Sequence, residues 1–164
     1  MTLSQKMVHA LYRVAVIFNV VAVIFLTAYF VTPMVGIKVW SISGLSMTPT
    51  LQDGDVSVNL KTGNYVRGDI VCIESPTTKD EFWVKRVIGV PGDTIQVFGD
   101  YIEVNGKPDK ISLNFDKSYS KTAKIVLLYN EYFVAGDNRS GSYDSRYVGP
   151  ILEKTILSER LFGF

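Results

Sequence analysis

The chain has 164 residues, 17 Lys and Arg against 16 Asp and Glu, a formal net charge of +1 and 47% apolar residues. With an apolar N-terminal segment set aside, that length leaves room for one domain of ordinary size. The balanced charge, with no basic cluster, argues against nucleic acid as the main partner, and the single cysteine, Cys72, excludes an internal disulfide and a CxxC metal site.

From Val14 to Val31, eighteen consecutive residues carry no charge, and only Asn19 and Thr27 break the apolar composition. This is near the roughly 20 residues a helix needs to span a hydrocarbon core. Lys6 and Arg13 precede the run and no acid occurs before Asp53, so the positive-inside rule puts the N-terminus in the cytoplasm and the rest of the chain across the membrane. A cleaved signal peptide is the rival reading, but the run is long for an h-region and no clean A-x-A site follows it. Asn19 could face a partner helix. Residues 1–35 are thus expected to form a cytoplasmic N-terminus and single transmembrane anchor, and residues 36–164 an extracytoplasmic domain.

Beyond the anchor, Ser43 to Thr50 reads S-G-L-S-M-T-P-T. Gly44 permits a turn that a Cβ would resist, and Pro49 disfavours helix at Thr48, so Ser46 should sit on a constrained, non-helical segment with its hydroxyl presented. A serine needs a base to become a nucleophile, and histidine is the usual one. The chain's one histidine, His9, lies before the apolar run, so a catalytic Ser46 needs another base, with lysine the main substitute. Trp40, Ile42, Leu45 and Met47 cluster around Ser46, either as β-core or as a surface that inserts into lipid.

Short alternating apolar runs follow. Val56, Val58 and Leu60 alternate with polar residues, Arg67-Gly68-Asp69 turns the chain before Ile70 to Ile73, and Phe82 to Val90 ends at Pro91-Gly92-Asp93. Gly99-Asp100 and Asn105-Gly106 are hairpin signals. Lys107 to Lys124 is polar and suits a surface loop or ribbon; strands resume at Ile125 to Leu128 and Tyr132 to Ala135. Ile151 to Leu157 fits a strand or a helical turn equally. The expected class is mainly β, with antiparallel strands and tight turns. Cys72, between Val71 and Ile73, reads as a packed thiol.

Lys85 lies mid-strand, sharing a face with Trp83 and Val87, while Arg86 points the other way. In an apolar setting a lysine loses hydration, its pKa falls, and the neutral amine becomes a general base; the alternative is a lysine snorkelling from a sheet edge. Gly136 to Gly149, G-D-N-R-S-G-S-Y-D-S-R-Y-V-G, packs two acids, two arginines, an asparagine and three serines into fourteen positions. Asp137, Arg139, Asp144 and Arg146 could pair within this loop and hold it rigid.

Together, S-G-L-S-M-T-P-T, R-G-D-I-V, V-K-R-V-I-G-V-P-G-D and G-D-N-R-S-G-S-Y-D-S-R-Y resemble the ordered motifs of type I signal peptidases, membrane-anchored serine proteases with a Ser-Lys dyad. The resemblance runs from the anchor to about Pro150. It implies a transmembrane helix followed by a compact antiparallel β-sheet catalytic domain. It also implies Ser46 as nucleophile, Lys85 as general base, Ser142 as the hydroxyl that orients the lysine amine, and the Ser46 main-chain N–H as an oxyanion donor. Asp137, Asp144, Arg146 and Arg86 match supporting residues. Gly44 stands where some members carry a serine as second oxyanion donor, which leaves that donor unassigned.

The implied substrates are preproteins held in the membrane by their signal segments, cut at the outer face of the plasma membrane without metal or other cofactor. Small residues before the cut call for shallow apolar pockets, for which Ile42, Leu45 and Val84 are candidates by proximity in sequence. An extended substrate would pair with strands beside the site. A self-cleaving repressor-type peptidase shares the chemistry but would need a DNA-binding segment in place of the anchor. A membrane-tethered chaperone or assembly factor could carry the same fold without the chemistry, and a mitochondrial inner-membrane peptidase subunit would carry similar motifs.

Overall fold

The computed structural model describes residues 3–34, 36–99, 101–109 and 123–163. The chain divides into two compact units, Met1–Ile37 and Lys38–Phe164.

The first unit is helix α1, Leu3–Met34. Its stretch Met7–Val31 is long and apolar enough to cross a membrane. A helix is the form such a segment must take in lipid, because it satisfies each backbone group internally. The polar side chains follow the same rule. Asn19 Nδ2 donates to the Ala15 carbonyl at 2.8 Å, and Thr27 Oγ1 donates to Val23 at 2.9 Å. One N–H of the Asn19 amide is thus bonded within its own helix.

The second unit is mainly β. Its larger sheet is built from β1 (Ile37–Ser41), β2 (Val56–Leu60), β3 (Ile70–Glu74), β4 (Phe82–Gly89), β9 (Glu131–Ala135), β10 (Ile151–Leu152) and β11 (Ile156–Gly163). Their order is β1-β2-β11-β3-β4-β9-β10. The smaller sheet has β5 (Thr94–Phe98), β6 (Tyr101–Val104), β7 (Lys107–Pro108) and β8 (Ile125–Val126) in the order β7-β6-β5-β8. The pairs around β4 are antiparallel: Lys85 stands opposite Val71 on β3, and Arg86 lies between Ile70 on β3 and Ala135 on β9. The β6–β7 connection uses Asn105 and Gly106, both at positive φ (54° and 75°), as a tight hairpin turn requires.

Three apolar clusters hold these layers. Val71, Ile73, Trp83, Val87 and Val134 pack on one face of the large sheet. Ile88, Phe133 and Ala135 of the large sheet meet Ile95, Val97 and Ile102 of the small one. Ile42, Met47, Leu51 and Ile70 form a third cluster, with Val84 packed against it. Cys72 is 3% exposed, and burial pushes its thiol up to about 11 despite the nearby charge of Lys38, so it is an inert core residue.

Several expectations change in detail. Residues 151–157, which fitted strand or helical turn, contain both: β10, a 3-10 turn at Glu153–Thr155, and the start of β11. The strand expected over Ile125 to Leu128 is only two residues long, because beyond Val126 the pairing becomes irregular: Leu127 N–H still donates to the Asp93 carbonyl at 2.9 Å, but the Asp93 N–H turns to the Val90 carbonyl and the Leu127 carbonyl takes the Gly92 N–H instead. Of the polar stretch 107–124, residues 110–122 lie outside the described residues, and Lys107–Pro108 is a short strand. Strand β1 had no period-2 signal, since Ile37, Val39 and Trp40 are apolar on both faces.

Candidate active site

Ser46 sits in a run of turns between β1 and β2. Gly44 adopts φ 91°, where an L side chain is strained, and its N–H donates to Asp53 Oδ1 at 2.7 Å. Leu51 N–H bonds back to the Met47 carbonyl, and the buried Met47 and Leu51 side chains pin the turn to the third cluster. Asn138 clamps it from the other side. Its main-chain N–H donates to the Ser46 carbonyl at 3.1 Å and its Nδ2 to the Leu45 carbonyl at 3.1 Å. The Ser46 N–H meets no protein acceptor among the described residues.

Lys85 Nζ lies 2.9 Å from Ser46 Oγ. The lysine is 5% exposed, with Trp83 and Val87 as its neighbours on the strand face. Burial lowers its pKa from the ordinary lysine value; Asp144 opposes this by favouring the charge, and Arg146 adds to it. Ser46 is the only hydrogen-bond partner of Nζ among the described residues. An ammonium would bury three charged donors with one partner, whereas a neutral amine buries only two uncharged N–H groups and can accept the Ser46 hydroxyl proton on its lone pair. Geometry and burial thus favour the same neutral form.

Behind the pair lies the loop from Gly136 to Gly149. Asp144, fully buried, is the N-cap of a short helix α2, Ser145–Val148. Its carboxylate accepts from the Gly136 N–H at 2.9 Å, from Ser142 Oγ at 2.7 Å and from Arg146 Nε at 2.8 Å. Burial alone would raise its pKa, but these bonds and the Arg146 charge outweigh it and hold the carboxyl below the usual range. Arg146 Nη2 also reaches the carbonyls of Arg139 at 2.6 Å and Ser142 at 3.0 Å, lacing the loop together. Asp137 receives two parallel bonds from Arg86, at 2.8 and 2.6 Å, which anchor the loop to β4 one residue from Lys85.

The structure therefore brings Ser46, Lys85, Ser142, Asp144 and Arg146 into one site, with Arg86 and Asp137 bracing it. Ser142 Oγ donates to the Asp144 carboxylate at 2.7 Å; among the described residues no hydrogen bond joins it to Lys85, although its oxygen lone pairs are left able to accept one. One expectation needs correction: among the described residues a single ion pair, Asp144–Arg146, closes within the loop, while Asp137 reaches out to Arg86 and Arg139 to Asp109 at 2.7 Å. Of the pocket candidates, Ile42 is buried at 4% in the third cluster, Val84 packs against it, and Leu45 points outward at 63% exposure. The apolar residues around Ser46 thus divide: Ile42 and Met47 are core, and Leu45 is surface. Trp40 is half-buried, its ring 5.4 Å from that of Phe82.

Three residues that position the site escaped sequence reasoning. A Cβ at Gly136 would collide with the Ser142 side chain and the Ser46 carbonyl oxygen, so only glycine lets the strand end approach the Ser46 turn. Asn138 and Asp53 hold that turn by hydrogen bonds. The abrupt change from the apolar β9 to Gly136-Asp137-Asn138 was a readable signal for the first two; Asp53, in L-Q-D-G-D, looks like any turn residue.

A buried amine on a serine hydroxyl, in a chain whose N-terminal helix is fit to cross a membrane, defines a hydrolase-like site on a β scaffold. Residues 11–163 match the family described as signal peptidase, peptidase S26. The chain is 33% identical to signal peptidase IB of Staphylococcus aureus, over 99% of this chain and 91% of the relative. It is 36% identical to signal peptidase I of Bacillus licheniformis, over 92% and 85%. A crystal structure of a signal peptidase I from Enterococcus faecalis V583 aligns with 58% of this chain and 96% of that one, at 27% identity and a TM-score of 0.46. The chain belongs to the signal peptidase family of S26 peptidases, and its function is that of a type I signal peptidase.

Proposed function

We propose that the peptidase works through a Ser46-Lys85 dyad that removes signal peptides from exported preproteins at the outer face of the membrane. The single observation that carries this reading is the 2.9 Å approach of a buried amine to a serine hydroxyl. The neutral Lys85 amine takes the Ser46 proton as Oγ bonds to the carbonyl carbon of the cleavage site. The resulting oxyanion is met by the Ser46 N–H, which has no competing acceptor among the described residues; one such donor is worth about 2.7–4 kcal/mol in related chemistry. As the C–N bond breaks, the Lys85 ammonium returns its proton to the leaving amine. Water, activated by the same amine, then releases the acyl group. The Gly44 N–H is engaged with Asp53, so it is not the second oxyanion donor.

Asp144, Arg146, Ser142, Asp137 and Arg86 act by holding the loop against the Ser46 turn. Val84 and Ile42 form the apolar floor that favours small residues before the cut. Helix α1 anchors the chain with its N-terminus, which carries Lys6 and Arg13, in the cytoplasm and the β unit, from about residue 36 onward, outside. The test is cleavage of a preprotein in detergent by the wild type, Ser46→Ala and Lys85→Ala. Both variants should lose at least about 10⁴-fold in rate; cleavage that persists in either one rejects the dyad.

A further inference from the structure

Three aromatic rings lead away from the site in a continuous series. Lys85 Nζ lies 5.7 Å from the Trp83 ring centroid, Trp83 and Tyr143 meet edge to face at 5.9 Å, and Tyr143 and Tyr147 stack at 5.1 Å. Trp83 is buried, with its indole N–H donated to Glu81 at 3.1 Å. Tyr143 and Tyr147, however, are 53% and 63% exposed. Two stacked rings open to solvent serve no core. Neither is loose: Tyr143 stands between Ser142 and Asp144, and Tyr147 lies on helix α2 with the Arg146 guanidinium 5.6 Å from its ring. Because Arg146 is itself fixed by the buried Asp144, the rings are held in place before anything binds.

We propose that Tyr143 and Tyr147, backed by the buried Trp83, form the platform for the substrate residues that follow the cut, the first segment of the released chain. The proposal rests on the dyad reading above. In that reading the Lys85 ammonium must hand its proton to the leaving amine, so the leaving side of the substrate lies over Nζ. The other side of the substrate faces Val84 and Ile42, which pack in the third cluster, while Trp83 lies in the first cluster. An extended chain advances about 3.3 Å per residue, so the ring series can follow at most about five residues beyond the cut. Aromatic faces suit this task, because the mature N-termini of different exported proteins share a backbone and not a side-chain pattern. Flat rings contact extended backbone and mixed side chains without selecting one.

The test uses the full-length protein in detergent and two synthetic peptides with identical residues before the cut, one ending one residue after it and the other five. The wild type should cleave the longer peptide with a higher kcat/KM, by about tenfold, the scale of one or two aromatic contacts. Tyr143→Ala and Tyr147→Ala should bring that ratio toward one through KM on the longer peptide, and Tyr147→Phe should restore it. A ratio that stays at the wild-type value in both alanine variants overturns the platform. So does an equal fall in kcat on both peptides, which would mark the rings as structural. A wild type that cleaves neither peptide overturns the dyad reading and the platform with it.

Discussion

Asp144 and Arg146 are closed to solvent as a pair, with side chains 0% and 2% exposed, and their oxygen and nitrogen atoms meet at 2.8 Å. The carboxylate also collects the Gly136 N–H and the Ser142 hydroxyl, so one buried charge fixes three points of the loop behind Ser46. Removing the charge strands the guanidinium. Asp144→Asn should therefore lower stability by about 3–5 kcal/mol, read as a fall in the denaturation midpoint at neutral pH. The sign of the pH effect follows from the lowered pKa of Asp144: its contribution is complete above the ordinary aspartate pKa and is lost as pH falls through the lowered folded value. The gap between wild type and Asp144→Asn should thus narrow only in strong acid.

Gly136 separates packing from charge. A methyl group there must displace the Ser46 carbonyl or the Ser142 side chain, at a cost of about 1–3 kcal/mol for overpacking. Because the first of these belongs to the proposed nucleophile, Gly136→Ala should lose about 100-fold in kcat with the fold intact, as expected for a displacement of about 1 Å. Circular dichroism alongside the rate separates this from unfolding. Wild-type kcat in a folded Gly136→Ala variant would show that the turn gives way at no catalytic cost.

Lys85 is a burden on the fold. Below the ordinary lysine pKa of 10.5 the unfolded chain holds a proton that the folded chain holds less readily, so folding is opposed there and wild-type stability rises with pH between the lowered folded value and 10.5. Lys85→Met removes that slope. It also removes the bond to Ser46, worth about 1 kcal/mol at every pH, so the informative quantity is the pH dependence of the difference. Unfolding free energies of the two proteins across pH 7 to 10 should diverge in slope, with the wild type gaining on the variant as pH rises. Parallel curves would mean that Lys85 is charged in the folded state.

Much of this was legible in the chain. The span was plain because lipid leaves only one solution for a long uncharged run, and β4 because Trp83, Lys85 and Val87 alternate with Val84 and Arg86. The pairing of Ser46 with Lys85 was legible only through the motifs taken together. The partners of each loop charge were not, since sequence spacing favours near neighbours. The pairing of Arg139 with Asp109 and of Arg86 with Asp137 spans 30 and 51 residues and is decided by sheet order. The fate of Ile42 and Leu45, three residues apart, was equally hidden: a run of turns has no period from which inside and outside can be read.

The most direct test follows the Lys85 amine itself, by the NMR shift of its Cε or Nζ in selectively labelled protein, alongside kcat/KM over the same pH range. The Lys85 titration should fall well below 10.5, and activity should rise with pH through that same midpoint. A lysine that titrates at its ordinary value, in a protein still fully active at neutral pH, would contradict the account.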